Sequence, residues 1–409
     1  MLDDANRVVP GFITHYAPLI WLHSEDPFRP ADLLRHIRHT SPAVNHKSIP
    51  DVPELGLDNL AILNDVSSGQ VALTAVDDVT TLPTWLYGET PDGSGKTQNA
   101  TSCVVVLVER GPIDIDAFYF YFYSYDRGPN LTQVAEPVNR LVKDDGSGTH
   151  FGDHVGDWEH NMVRFHDGKP TGIWYSQHRD GAVYQWGDAG LSLENDRPIV
   201  FSAYGSHANY ASAGDHIHDE ALIDYCDAGP RWDPILSAYF YHLDPISFTL
   251  TQLTPPGSSP PPTSNITSFF YYTGLWGDAQ YPDDDPRQKT VPHFGIKRFV
   301  SGPTGPATKQ LVRKGIAPDE GKHRSWTEWA VGVVMSLYPC CIRGWRKWVW
   351  GVVLLGVLLS VPFGIWYALR RYKARRGYKR VETDVQLDDL TWREDSSPSR
   401  SETELRRIE

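Results

Sequence analysis

Six consecutive residues, Phe118 to Tyr123, alternate phenylalanine and tyrosine without a break. In an extended chain successive side chains point to opposite faces, so this stretch reads as a strand. Its phenylalanines make a core face and its tyrosines a face that can also hydrogen-bond. Residues 103–108 (CVVVLV) read as a second, buried strand. Residues 161–165, 172–177, 182–185 and 199–204 are shorter candidates. Turn signals punctuate them at Asp167-Gly168, Asp180-Gly181, Gly187-Asp188 and Asp145-Gly146. The 14 Trp, 20 Tyr, 34 Gly and 31 Pro of the 409 residues suit strands and turns better than a helical bundle.

Helical pattern is scarce. Residues 31–39 (ADLLRHIRH) follow Pro30 and form a short helix candidate. Residues 325–338 open with a Ser325 cap and Glu328 at the capping-box position. Residues 254–263 (TPPGSSPPPT) are a Pro/Ser insertion or hinge. The expected fold is mainly β: a β-sandwich ectodomain with short helical decorations over residues 1–325. A juxtamembrane helix (326–347), a transmembrane helix (348–369) and a disordered tail (370–409) are expected to follow.

The transmembrane expectation rests on residues 348–369, WVWGVVLLGVLLSVPFGIWYAL, which carry no charge and are long enough to cross a bilayer. Trp348, Trp350, Trp366 and Tyr367 stand at the ends like interfacial anchors. Seven Lys and Arg residues follow between Arg370 and Arg380, against Arg343, Arg346 and Lys347 before it. The positive-inside rule therefore puts the tail in the cytosol and the large domain in a lumen. Sequons at Asn99, Asn130 and Asn265 agree with glycosylation there. The first residues, MLDDANRVVPGF, lack a signal peptide's basic and apolar regions. The expectation is a start truncated relative to the natural product; the alternative is a tail anchor with a cytosolic domain. Cys340 and Cys341 are palmitoylation candidates, and Tyr378-Lys379-Arg380-Val381 fits a short sorting pattern. Cys103 and Cys226 can form one disulfide in an oxidising compartment or stay buried thiols.

Net charge is −13, with no basic face to neutralise phosphates, which argues against nucleic acid as a partner. The densest chemistry lies at residues 152–160, GDHVGDWEH. Five titratable groups there repel one another unless a cation or a shared proton holds them. In extended chain Asp157 and Glu159 share a face, Trp158 plugs the core behind them, and His154 folds in across Gly156. His154, Asp157 and Glu159 are thus candidate ligands of a divalent cation, Mg or Ca before Zn or Mn, with His178, His207 and His216 as possible additions. His160 and His207 are candidate acid–base groups. Ser206-His207 lacks the G-x-S-x-G elbow of a serine hydrolase, and neighbours on a strand point apart.

Four blocks, HYAPLIWLHSEDPFRPADLL, GDHVGDWEHNMVRF, WYSQHRDGAVYQW and VFSAYGSHANYASAGDH, resemble the fungal vacuolar protein sorting-associated protein 62 family across residues 12–300. That resemblance implies a membrane-linked protein concerned with delivery to the vacuole, at a vacuolar or endosomal membrane. His154 to Glu159 is also similar to the H-x-H-D-W-E core of necrosis- and ethylene-inducing-like proteins. Those are β-sandwiches that hold a divalent cation and bind sphingolipid headgroups. Carried over by position, His154, Asp157 and Glu159 would be ligands, while the motif's second histidine is Gly156 here. The favoured function is a cation-stabilised domain that binds a lipid or glycan headgroup or a cargo protein. The alternatives are a metal-dependent hydrolase and a sorting adaptor that acts through its tail.

Overall fold

The computed structural model describes residues 8–130, 150–178, 180–218, 222–255, 266–290, 296–319 and 346–375. Residues 325–338, Asn265, Cys340, Cys341 and the tail pattern at Tyr378 lie outside these. The chain divides into two compact units, Met1–Leu337 and Tyr338–Glu409.

The alternating stretch lies in a thirteen-residue strand, Asp114–Asp126. It pairs antiparallel with His154–His166, and this central hairpin organises the larger unit. Among the described residues the hairpin belongs to a seven-stranded sheet. Its order is Leu250–Leu253, Ala238–Leu243, Cys103–Glu109, Asp114–Asp126, His154–His166, Lys169–Gln177 and Asp180–Gln185. All pairs are antiparallel except Ala238–Leu243 with Cys103–Glu109. The mainly β expectation holds, and each expected strand lies within or overlaps one of these or Arg197–Ser202. Asp180-Gly181 opens a strand instead of forming a turn.

Both faces of the sheet are buried. Phe118, Phe120, Phe122, Trp158 and Met162 pack with Leu33, Ile37, Leu60, Phe269 and Trp276. Leu33 and Ile37 come from the helix Leu33–Arg38, which Asp32 caps by accepting from the Arg35 amide at 2.7 Å. Tyr119, Tyr121 and Tyr123 pack on the other face with Ile20, Val200 and Trp232. These last three belong to a second sheet, in which Leu19–Trp21 lies between Arg197–Ser202 and Arg231–Trp232. The tyrosine face is therefore core as well, and its hydroxyls find internal acceptors. Tyr119 donates to the Ile13 carbonyl at 2.7 Å and Tyr121 to Asn161 Oδ1 at 3.0 Å.

Cys103 and Cys226 are both buried free thiols, so the disulfide is not formed. Cys103 packs in the core beneath the tyrosine face, while Cys226 packs with Ala203, Ala208 and Tyr210. Asn99 is exposed and Asn130 half-buried. In the second unit, Arg346–Arg375 is one helix that carries Pro362 inside it. Within its segment Gly351–Ala374 an 18-residue stretch reaches mean hydropathy 2.2, long and apolar enough to cross a membrane.

His36 is fully buried behind the phenylalanine face. Its Nε2 lies 2.8 Å from the Trp276 carbonyl and its Nδ1 3.1 Å from Ser124 Oγ. Burial pushes its pKa down to about 4, so it stays neutral where an unfolded histidine, near 6.5, takes a proton. The unfolded chain then binds more protons between pH 6.5 and 4, and stability falls as pH drops through that window. His36→Gln should remove this sensitivity: the stability advantage of wild type over the variant shrinks by on the order of 3 kcal/mol between pH 7 and pH 4. Thermal melts at a series of pH values check it, and a constant difference would count against a neutral buried His36.

Candidate functional site

The central hairpin ends at Asp126 on one strand and His154 on the other, which pair directly. Two residues on, Gly156 adopts φ +70°. A Cβ at this position would overlap the Trp276 carbonyl oxygen, so only glycine fits. The left-handed residue breaks the strict alternation of the strand. His154 and Asp157, three apart, consequently face the same site. Asp126, His154 and Asp157 each offer one ligand atom, all within 4.8 Å of one another. Opposite oxygens around a calcium ion are separated by about the same distance, so one ion can touch all three.

The His154 ring is oriented for such a role. Its Nδ1 lies 2.7 Å from the Gly156 carbonyl, which can only accept, so Nδ1 carries the proton. The Nε2 lone pair then faces Asp126, 3.7 Å from its Oδ2. Backbone-carbonyl anchoring of this kind fixes tautomer and ring angle in metal-binding histidines. Burial holds the His154 pKa below its usual value, which keeps that lone pair free.

Around these three the structure buries an excess of acid. Asp26, Asp126, Asp153, Asp157 and Glu159 are all less than 10% exposed. Among the described residues none has a Lys or Arg nitrogen within 4.0 Å; the ion pairs that Asp26, Asp126 and Asp157 make are with histidines. Burial, and then the charge of Asp157, pushes the Asp126 and Glu159 carboxyls well above the ordinary range. His207 is the balancing charge. Its Nδ1 donates to Asp157 Oδ2 at 2.9 Å, its Nε2 lies 3.4 Å from Asp26 Oδ2, and its ring stacks on Tyr123 at 3.7 Å. Burial alone would lower its pKa, but the two carboxylates outweigh that and hold it up at about 10.

The sequence-derived residues divide accordingly. His154 and Asp157 come together, and Asp126 takes the third place expected of Glu159. Glu159 shares the face of Asp157 but receives the Ser176 hydroxyl. His207 turns Nδ1 to Asp157 Oδ2 and Nε2 to Asp26 Oδ2, and it lies outside the group of three donors. His178 lies 2.7 Å from Asp224 Oδ2 instead. His216 sits on the hairpin of Gly214–His218 and Leu222–Cys226, with Nε2 2.8 Å from the Ser212 carbonyl and its ring on Tyr210. His160 is turned to the opposite face, where its ring stacks near Phe120 and its Nε2 lies 3.1 Å from Arg313 Nη2. Strand alternation places it away from Asp157, so it cannot serve the site as acid or base. Ser206 donates to Asp224 Oδ1 at 2.9 Å, not to His207.

Residues 128–231 match the family model described as vacuolar protein sorting-associated protein 62. The Saccharomyces cerevisiae protein of that name is 33% identical over 354 residues, 78% of this chain and 69% of that protein. Saccharomyces cerevisiae TDA6, also described as a vacuolar protein sorting-associated protein, is 32% identical over 358 residues, 79% of this chain and 71% of that one. The chain belongs to the vacuolar protein sorting-associated protein 62 family. The segment matching the family model contains His154, Asp157, Glu159 and His207, while Asp26 and Asp126 lie before it. Two solved structures are similar at 12% identity. Necrosis and Ethylene inducing Protein 2, from the causal agent of cocoa's Witches Broom disease, matches over 51% of this chain and 72% of its own, with a TM-score of 0.24. The non-toxic HaNLP3 protein matches over 57% and 76%, with a TM-score of 0.27. Likeness this slight carries no argument about the site.

Because Gly156 meets both a positive φ and a backbone oxygen, Gly156→Ala should cost about 2 kcal/mol or more. A lowered melting temperature is the readout; a variant as stable as wild type would contradict the close approach of Trp276.

Proposed function

We propose that this protein serves vacuolar protein sorting from a membrane, with its larger unit holding a divalent cation and binding a lipid or glycan headgroup or a cargo protein. The carrying observation is the donor group of Asp126, His154 and Asp157 within a buried acid excess. Uncompensated buried carboxylates are expensive, and a cation at this point offsets several at once. Two carboxylates and one imidazole favour a hard ion, Mg or Ca. His207 on Asp157 Oδ2 leaves the second oxygen of that carboxylate for an ion. The two sheets with their shared core are read here as a β-sandwich. The helix Arg346–Arg375 is read as the membrane anchor, with the basic C-terminal flank on the cytosolic side and the larger unit in a vacuolar or endosomal lumen.

The full chain, purified gently in detergent, should carry about one divalent ion per molecule by elemental analysis, and Asp126→Asn with Asp157→Asn should carry none. Chelation should lower the melting temperature of wild type and leave the double variant unmoved. If wild type holds no ion and none of Mg, Ca, Mn or Zn raises its melting temperature, the cluster is a proton-sharing network instead.

A further inference from the structure

In a chain of net charge −13, two arginines at the rim of the acid cluster form no ion pair among the described residues. Arg127 and Arg298 are both half-buried. Each guanidinium lies over an aromatic ring, Arg127 5.0 Å from the Phe28 centroid and Arg298 4.7 Å from that of Phe299. Such stacking holds the cation in place without using its in-plane N–H donors. Among the described residues neither has a carboxylate within ion-pair distance, and Arg298 Nε is buried with no hydrogen-bond partner.

The backbone pins the two together. The Arg127 amide donates to the Gly205 carbonyl at 3.0 Å, on the loop that carries His207. The amides of Gly152 and Asp153 donate to the Arg298 carbonyl at 2.9 and 2.8 Å. Asp153 accepts in turn from the Gly128 amide at 3.0 Å and from the Tyr125 hydroxyl at 2.8 Å. One residue thus joins both arginine-bearing segments, and its carboxylate is already engaged. His150 belongs to the same group, with Nδ1 2.8 Å from the Gly128 carbonyl. After burial, the charges of Arg127 and Arg298 are what hold His150 below its usual pKa, so both guanidiniums act on one spot. Among the described residues the one carboxylate that feels both guanidiniums is Asp153, so two cations face a single acid and an anion would balance the second.

We propose that Arg127 and Arg298 form an anion subsite for a phosphate ester, beside the Asp126, His154 and Asp157 group. A carboxylate fills one guanidinium fork, whereas the several non-bridging oxygens of a phosphate serve two forks at once. Arg127 directly follows Asp126 in the chain, and His154 directly follows Asp153. The arginine pair thus belongs to the same end of the central hairpin as the donor group. The proposal rests on the headgroup-binding reading above and narrows it to a phosphorylated headgroup.

Calorimetric titration of the full chain in detergent micelles tests this. The probes are inorganic phosphate and, separately, phosphatidic acid doped into the micelles, with undoped micelles as the blank. Wild type should bind a phosphate probe, and Arg127→Gln with Arg298→Gln should weaken that binding about tenfold or more. Preference for phosphatidic acid assigns a lipid headgroup, and equal or tighter binding of inorganic phosphate assigns a soluble phosphate. No binding of either probe to wild type, or undiminished binding to the variant, overturns the proposal. Should the glutamine pair not fold, Arg127→Lys with Arg298→Lys keeps both charges and removes the forks. It should weaken binding severalfold, and unchanged affinity is again fatal. Repeating the titration after chelation separates the two readings. Arginine-dependent binding that survives chelation makes the phosphate subsite independent of the ion, and the cation site stands or falls on elemental analysis of the untreated protein alone.

Discussion

The Trp276 carbonyl oxygen occupies the space that a side chain at residue 156 would need. This one exclusion shapes both sides of the central hairpin. On one side it permits the positive φ of Gly156, which brings His154 round to the face of Asp157. On the other, the Trp276 ring is locked edge-on against Trp158 at 5.2 Å and against Phe122 at 5.4 Å. The same carbonyl is the partner of His36. The aromatic core and the polar site thus share a wall, and a change in the packing of Trp276 reaches the donor group through the glycine.

The acid cluster itself is not a source of stability. Carboxyls withdrawn from water cost more than their mutual contacts return, even with one imidazolium held between Asp157 and Asp26. The surrounding order, with His207 clamped between Asp157 and Asp26 and stacked on Tyr123, holds charges that would otherwise move apart. Rigid placement of unfavourable charge is characteristic of sites whose occupant comes from outside the chain.

Much of this was legible in the sequence, for definite reasons. The alternation at Phe118–Tyr123 placed one strand on its own, because a period of two admits no helix. His154 and Asp157 were legible because their spacing across a glycine suggested a fold-back. Asp126 was not: it lies 28 positions before His154 and becomes its neighbour only through the register of the hairpin. The missed signal was the aspartate closing the aromatic strand, where the pattern turns from apolar to charged. Glu159 was misplaced because alternation gave its face but not its partner, Ser176, which comes from the adjacent strand. His160 failed for the converse reason, since the same alternation that groups Asp157 with Glu159 sends it to the other side. The cysteine pair stayed open between a disulfide and buried thiols, because spacing along the chain says nothing of which core each thiol enters.

The topology sets a timetable for synthesis. Leu19–Trp21 pairs parallel with Arg197–Ser202, and Cys103–Glu109 pairs parallel with Ala238–Leu243. At ribosomal rates of about 5–20 residues per second, the first strand waits roughly 10–40 s for its partner. The aromatic strand is meanwhile exposed on the face that Ile20, Val200 and Trp232 later cover. During that interval the chain is a sticky, half-finished sheet. Substitutions near residue 200 therefore act on the yield of folded protein before they act on its endurance once folded.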